Sequence, residues 1–453
     1  MMREWQQRTS GDQFVFGNTI VICTGRLEPG VDSEMANNDV EVAVVGGGAA
    51  GLAAARRLSR ANVSCLIVEA RSRLGGRAWT VPGPSGSSLD LGCGWLHSAD
   101  RNPWVAIAEE QHRTIDKTPP PWRRRSLAYG FPEGGRRLFL GAQEKFYARV
   151  SERAQKEPDV PVAAMFEPGC RWNPLINAVG TYISGAELEY VSARDFDYFD
   201  DTGVNWRIVE GYGATIVACG ASLPMALGCA VLSIDHSGKR LKIETTQGRI
   251  IADRVIVTLP SAIIAHAEEL FIPRLPEKTR AAEGLPLGLT NKLFMSLEGA
   301  DEFENDSRLF GATDRTATAA YHLRPFGRPQ IEAFFGGRLA AELEAAGEDA
   351  FFNFAVSELA AVLGNAFAKR VRPIRIHQWG ADPFSRGSYS YARPGMTDCR
   401  MRLAAPVDDR IFFAGEACST RDFSTAHGGW ITGVAAADQV IAARGHARHP
   451  EKT

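Results

Sequence analysis

An α/β fold is what this sequence predicts: a mainly parallel sheet with helices on its faces, assembled from separated stretches of chain and interleaved with a second unit. Three observations predict it. An apolar, β-branched run at residues 40–45 gives way at once to a glycine-rich turn and a helix of small residues. A second apolar run, Cys65-Leu66-Ile67-Val68, completes a βαβ unit of about 30 residues and leads into an acidic residue. Two further β-rich runs, Arg254-Val255-Ile256-Val257-Thr258-Leu259-Pro260 and Arg410-Ile411-Phe412-Phe413-Ala414-Gly415-Glu416, lie far downstream of both.

Residues 1–39 read as a leader outside the fold. Arg3 and Arg8 precede Phe14-Val15-Phe16, but Gly17, Asn18 and Thr19 interrupt the apolar stretch and it leads to no small-residue cleavage pattern. Met35 then reads as a natural beginning. The strand at 40–45, apolar but for Glu41, reads as a buried one. Residues 52–58 supply a helix with arginines at its far end. The run at 254–260 stops at proline, as a strand end does. The run at 410–416 ends in a glycine turn, with a helix expected over 433–443. Between these lie stretches of different character, including one long Ala/Glu/Leu-rich helix near 339–364. The first unit is therefore assigned residues 40–125, 205–287 and 379–453, and the interleaved unit residues 126–204 and 288–378. Arg123, Arg124 and Arg125 read as a solvated face.

Composition excludes several classes. Of 453 residues, 51 are Lys or Arg and 53 Asp or Glu, a formal net charge of −2. A nucleic-acid binder would carry a basic excess. No apolar run approaches the roughly 18 residues of a membrane-spanning helix. Eight scattered cysteines form no CxxC pair and no zinc-ligand spacing with histidine, so no metal site is expected. Reduced thiols suit a cytoplasmic protein, which is the localisation expected.

The chemistry starts at the turn. Gly46-x-Gly48-x-x-Gly51, with Ala50 beside the last glycine, opens a helix directly after a strand. The first glycine permits the turn, the second lets backbone approach a pyrophosphate, and the third lets helix and sheet pack closely. The helix N-terminus then faces the phosphates with unpaired N–H groups. Glu69, 18 residues after Gly51, ends the second strand where a carboxylate accepts from ribose hydroxyls. The next eight residues, Ala70-Arg71-Ser72-Arg73-Leu74-Gly75-Gly76-Arg77, bend the backbone at two glycines and bring a guanidinium toward the cofactor. That continuation points to FAD rather than NAD.

These segments, with Phe413-Ala414-Gly415-Glu416, resemble the flavin amine oxidase family over roughly residues 40–443. The family's Rossmann-like FAD domain with an interleaved substrate domain is the architecture implied. Gly92-Cys93-Gly94-Trp95-Leu96-His97 with Asn102-Pro103, and Trp379 leading to Arg386-Gly387-Ser388-Tyr389-Ser390-Tyr391, are most similar to polyamine oxidases. Ser98 departs from the glycine expected there.

The resemblance implies cofactor contacts at Gly94, Trp95, Val231, Trp379, Gly415, Glu416 and Ile431. It implies that Lys292 holds a water near the flavin, that Tyr389 and Trp430 flank the substrate amine as a parallel aromatic pair, and that His97 touches substrate. Glu187 and Glu189 are weaker candidates for a distal ammonium. The implied reaction takes a hydride from a primary or secondary amine, di- or polyamines included, to flavin N5. Imine hydrolysis and reoxidation by molecular oxygen to hydrogen peroxide complete it. Relatives that link FAD covalently do so through a cysteine before the first cage tyrosine. Here that residue is Ser388, so non-covalent FAD is expected. Two alternatives stand beside this: a dehydrogenase or desaturase of the same fold using another acceptor, and a flavin-binding interaction scaffold with little turnover.

Overall fold

The computed structural model describes residues 39–124 and 129–448. The reading of residues 1–38 as a leader, and Arg125 of the arginine run, lie outside them. The first strand begins at Asp39, one residue inside the span assigned to the leader.

Asp39–Val45 runs parallel to Cys65–Val68 on one side and to Gly248–Val257 on the other. Its side chains alternate between two cores. Val42 and Val44 join a cluster with Leu52, Leu58 and Val440, while Ala43 and Val45 join one with Ile243, Val255 and Phe413. Burial on both faces explains the apolar run Val42–Val45. Met225–Ala226 extends the sheet beyond Cys65–Val68, again in parallel. Gly248–Val257 is longer than its apolar end suggests. Its first half pairs antiparallel with Leu241–Thr245, and its last three residues pair parallel with Ile411–Phe413.

The crossover turn obeys the glycine logic. Gly46 has φ +106°, and a Cβ on Gly51 would lie 1.9 Å from Gly46 O. The helix Ala49–Arg60 therefore starts in van der Waals contact with the strand it leaves. The C-terminal helix extends over Ala426–Arg448, beyond the expected 433–443 in both directions. It lies on Ala49–Arg60 through Gly433, where a Cβ would meet Ala50 O at 2.1 Å.

A second sheet is wholly antiparallel, in the order Ser307–Phe310, Ala320–Leu323, Gln330–Gly336, Thr290–Leu297, Val371–Arg375. One face carries Leu293, Met295, Leu309, Tyr321, Ala333 and Phe335 into a core closed by Leu339, Leu343, Phe351 and Leu359. The long helix expected near 339–364 is two helices, Gly337–Ala346 and Glu348–Leu363. Gly347, at φ +97°, breaks them, a conformation that costs a side-chain-bearing residue more than it costs glycine. Residues Gly135–Ala154 and Asn173–Ser184 are helices over a further core around Phe146, Trp172 and Leu175.

Candidate active site

At the first turn the chain leaves a cradle. Gly48 precedes the helix with no side-chain cap, and no acidic residue stands in the first helical turn. A Cβ on Gly48 would find only Gly75 O, at 3.9 Å, and one on Gly415 would meet nothing within 4 Å. Glu69 is buried, with Gly47 N donating to one carboxylate oxygen at 2.7 Å and Arg71 N to the other at 2.8 Å. Cys229 N donates to Glu69 O at 2.9 Å, which carries the strand Val231–Asp235 away from the same point and sets Val231 at its start. Open space over glycines, a free helix N-terminus and a fixed carboxylate fit a dinucleotide.

Arg71 comes after Ala70 in the turn beyond Glu69. It reaches Asp382 Oδ1 at 2.6 Å and Ser385 Oγ at 2.7 Å. His377 lies 3.1 Å from the other oxygen of Asp382. Burial works against the Asp382 charge, but His377 and Arg71 overcome it and hold the carboxyl at about 2. Gly76 (φ +57°) brings Arg77 round, and its Nη1 donates to Ser388 O at 2.6 Å and Glu416 Oε1 at 2.9 Å. The other oxygen of Glu416 accepts Ser390 Oγ at 2.6 Å and Ser424 N at 3.0 Å. Against burial, Arg77, Ser390 and Arg400 keep the Glu416 carboxyl below its ordinary range.

Lys292 stands at the other side of this cluster. It is buried, its Nζ 3.1 Å from Asp90 O and 3.2 Å from Glu332 Oε1, and a Cβ on Gly94 would lie 3.1 Å from that ammonium. Ser388 is tied to the start of the same strand: its Oγ donates to Thr290 O at 2.8 Å and accepts from Thr290 N at 2.9 Å. The segments that carry Tyr389 and Lys292 are thus joined at Ser388 and Thr290. The Tyr389 hydroxyl donates to Tyr182 O at 2.5 Å. Desolvation pushes its phenol well up, so it stays neutral at ordinary pH.

The structure brings together Gly46, Gly48, Ala50, Gly51, Glu69, Arg77, Gly415 and Glu416, and it joins Gly94 and Lys292. The remaining candidates have neighbours of their own. Trp430 packs edge-on against Trp104 at 4.6 Å, with the Arg56 guanidinium 5.9 Å from its ring centre. Through Trp104 it meets the helix Pro103–Glu110. Ile431, the next residue, is exposed. Trp379 is buried behind Gly92 and donates its indole N–H to Leu91 O at 3.1 Å. Trp95 stacks with His322 at 6.4 Å and carries Arg207 on its face. His97 bonds Asn205 Oδ1 at 2.6 Å and lies along the exposed Trp122 ring. Glu187 accepts from Arg338 N, and Glu189 from Asn177. Ser98 holds φ +50°, a left-handed conformation that explains why glycine is expected there.

Sequence reasoning assigns no role to Glu332, to the buried pair Asp195 and Arg400, or to Ser390, and all four help to build the site. Each is a lone polar residue in sequence, and only its distant partner shows its use.

Comparison with known proteins gives the family. The one described as "Flavin containing amine oxidoreductase" matches residues 49–146 and 166–441. The chain belongs to that family. Polyamine oxidase 2 of Arabidopsis thaliana is 28% identical over 444 residues, covering 89% of this chain and 88% of its own length. Polyamine oxidase 4 of Oryza sativa subsp. japonica is 27% identical over 452 residues, 92% of this chain and 91% of its own. Lysine-specific histone demethylase 2 of Homo sapiens is 24% identical and covers 93% of this chain, though only 56% of its own length. The protein is a flavin-containing amine oxidoreductase, and its cofactor is FAD. Among the described residues no helix is long and apolar enough to cross a membrane, and no group of His, Cys, Asp and Glu is placed to hold a metal.

Proposed function

We propose that this enzyme oxidises a primary or secondary amine of the di- or polyamine class, with oxygen as the acceptor. The observation that carries the reading is the meeting of Lys292 with the Arg77–Glu416 pair through Ser388 and Thr290. FAD held in that cradle would supply the redox chemistry, hydride acceptance from the carbon beside nitrogen and return of the electrons to oxygen as hydrogen peroxide. The residues do the rest. Glu69 and the glycine turn hold the adenosine and pyrophosphate portion, while Arg77 and Glu416 fix the far end of the cradle. Tyr389 offers a neutral aromatic face against which an unprotonated amine is oriented. Lys292 provides a fixed ammonium whose protons face the reacting region. The imine that leaves is hydrolysed by water. Ser388, engaged at both ends with Thr290 and lacking a thiolate, leaves FAD to be held by contacts alone.

Anaerobic mixing with a panel of mono-, di- and polyamines tests the reading by loss of flavin absorbance. Bleaching by at least one amine, with equimolar peroxide on admitting air, is expected. A flavin that dithionite bleaches but no amine does would overturn it.

A further inference from the structure

The site-facing side of the second sheet carries a carboxylate where an apolar residue would serve the strand better. In Gln330–Gly336, Ile331, Ala333 and Phe335 point into the core, so Glu332 and Phe334 point the other way. Lys292 pairs with Phe334 and Phe294 with Glu332, which makes Lys292 and Glu332 diagonal neighbours on one face. Their charged atoms are 3.2 Å apart, at side-chain exposures of 9% and 17%. Such a pair, little hydrated, keeps most of its mutual attraction. It also cancels most of the field that the ammonium alone would send into the site.

The other charged groups around it leave this cancellation in place. His322, cross-strand from Glu332, is bonded to Asp306 at 2.9 Å. Asp306 is in turn paired with Arg207, and Arg207 with Asp116. Against burial, Lys292 and then His322 hold the Glu332 carboxyl below its ordinary range, so it is ionised at neutral pH. Asp90 lies on the far side of Lys292, where burial raises its carboxyl, and the Cys93 thiol is pushed up to about 12. Neither adds positive charge.

We propose that Glu332 restrains the enzyme's reactivity with oxygen by neutralising the Lys292 ammonium. The inference rests on the reading of Lys292 as the cation beside FAD. Two electrons from reduced FAD and two protons convert oxygen to hydrogen peroxide, and negative charge grows on oxygen as the electrons arrive. A bare ammonium stabilises that charge, whereas an ion-paired one does so weakly. The carboxylate thus slows the return of electrons from reduced FAD to oxygen.

The test reduces the holoenzyme with dithionite and mixes it with oxygenated buffer in a stopped-flow instrument, so it needs no amine substrate. Glu332→Gln keeps an acceptor for Lys292 without the charge, and Glu332→Leu removes both on a strand that tolerates leucine. Reoxidation is expected to quicken about fivefold or more in Glu332→Gln. In the Lys292→Met background the same change should bring no acceleration. The FAD midpoint potential, read by dye equilibration, should move to more positive values in Glu332→Gln. Unchanged or slower reoxidation in both Glu332 variants, at unaltered potential, would overturn the proposal. Acceleration that survives in the Lys292→Met background would overturn it too, by showing that the lysine is not the group being neutralised. Amine bleaching is read separately, so a failed amine panel with accelerated reoxidation would sink the substrate reading alone.

Discussion

Arg400 is the most instructive residue to disturb. Its side chain is 0% exposed and Asp195 is 1% exposed, with Nε donating to Oδ1 at 2.7 Å and Nη2 to Oδ2 at 2.8 Å. The remaining Nη1 donates to Ser390 Oγ at 3.0 Å and Ala417 O at 3.3 Å, and the guanidinium lies 3.8 Å over the Phe423 ring. Ser390 Oγ in turn donates to Glu416. An unbroken polar chain therefore runs Asp195, Arg400, Ser390, Glu416, Arg77. Asp195→Ala strands a wholly buried guanidinium, and breaking such a pair costs about 3–5 kcal/mol. The carboxylate also accepts Ala392 N at 2.8 Å, which keeps the expected loss at the upper half of that range. Replacing both partners, as Asp195→Leu with Arg400→Met, removes the stranded charge and should recover most of the loss. Urea unfolding at saturating FAD, tracked by tryptophan fluorescence, gives the midpoints, and FAD titration of each variant gives the effect on the cradle. The single variant should also bind FAD more weakly, because Arg400, no longer held by Asp195, loses the fixed geometry in which it donates to Ser390. A loss below about 1 kcal/mol for Asp195→Ala, or a double variant as unstable as the single one, would refute the reasoning.

Glu69→Ala removes a buried carboxylate aimed at the adenosine end and should weaken FAD binding by about 1.5–3 kcal/mol, measured by titration of apoprotein. Lys292→Met should slow reoxidation by oxygen while FAD content stays near normal; equal rates would remove Lys292 from the chemistry. Acid precipitation should release free yellow FAD to the supernatant, and flavin mass on a tryptic peptide would disprove non-covalent binding. Glu416 and Asp382 both have carboxyls held below their ordinary range in the folded protein. Their stabilisation is fully present above the usual carboxylate range and disappears as pH falls through the depressed values. Thermal midpoints should accordingly drop on acidification below about pH 4, and less so in Glu416→Gln.

The centre of the first sheet was legible because its strands are buried on both faces, so Val42–Val45 and Cys65–Val68 carry an unbroken apolar signal. The glycine turn was legible because its spacing answers a steric demand, seen in the 1.9 Å that a Cβ on Gly51 would leave to Gly46 O. The second sheet gave no such signal. Thr290–Leu297 must cover a core with Leu293 and Met295 while presenting Lys292 to the site, and its mixed sequence hides the alternation. Trp430 shows a different limit. A motif places a residue on a helix, but which neighbour the ring meets depends on where that helix crosses another. Here Gly429 and Gly433 set the crossing against Ala49–Arg60, and Trp430, beside them, turns onto Trp104. Glu332, Asp195 and Arg400 could not be distinguished from surface charges, because their partners lie 40, 205 and 205 positions away. The parts fixed by backbone sterics are readable from one sequence, and the parts fixed by pairing charges across the fold become readable only when the partners are seen together. The glycine turn belongs to the first kind, and Lys292–Glu332 with the polar chain from Asp195 to Arg77 to the second.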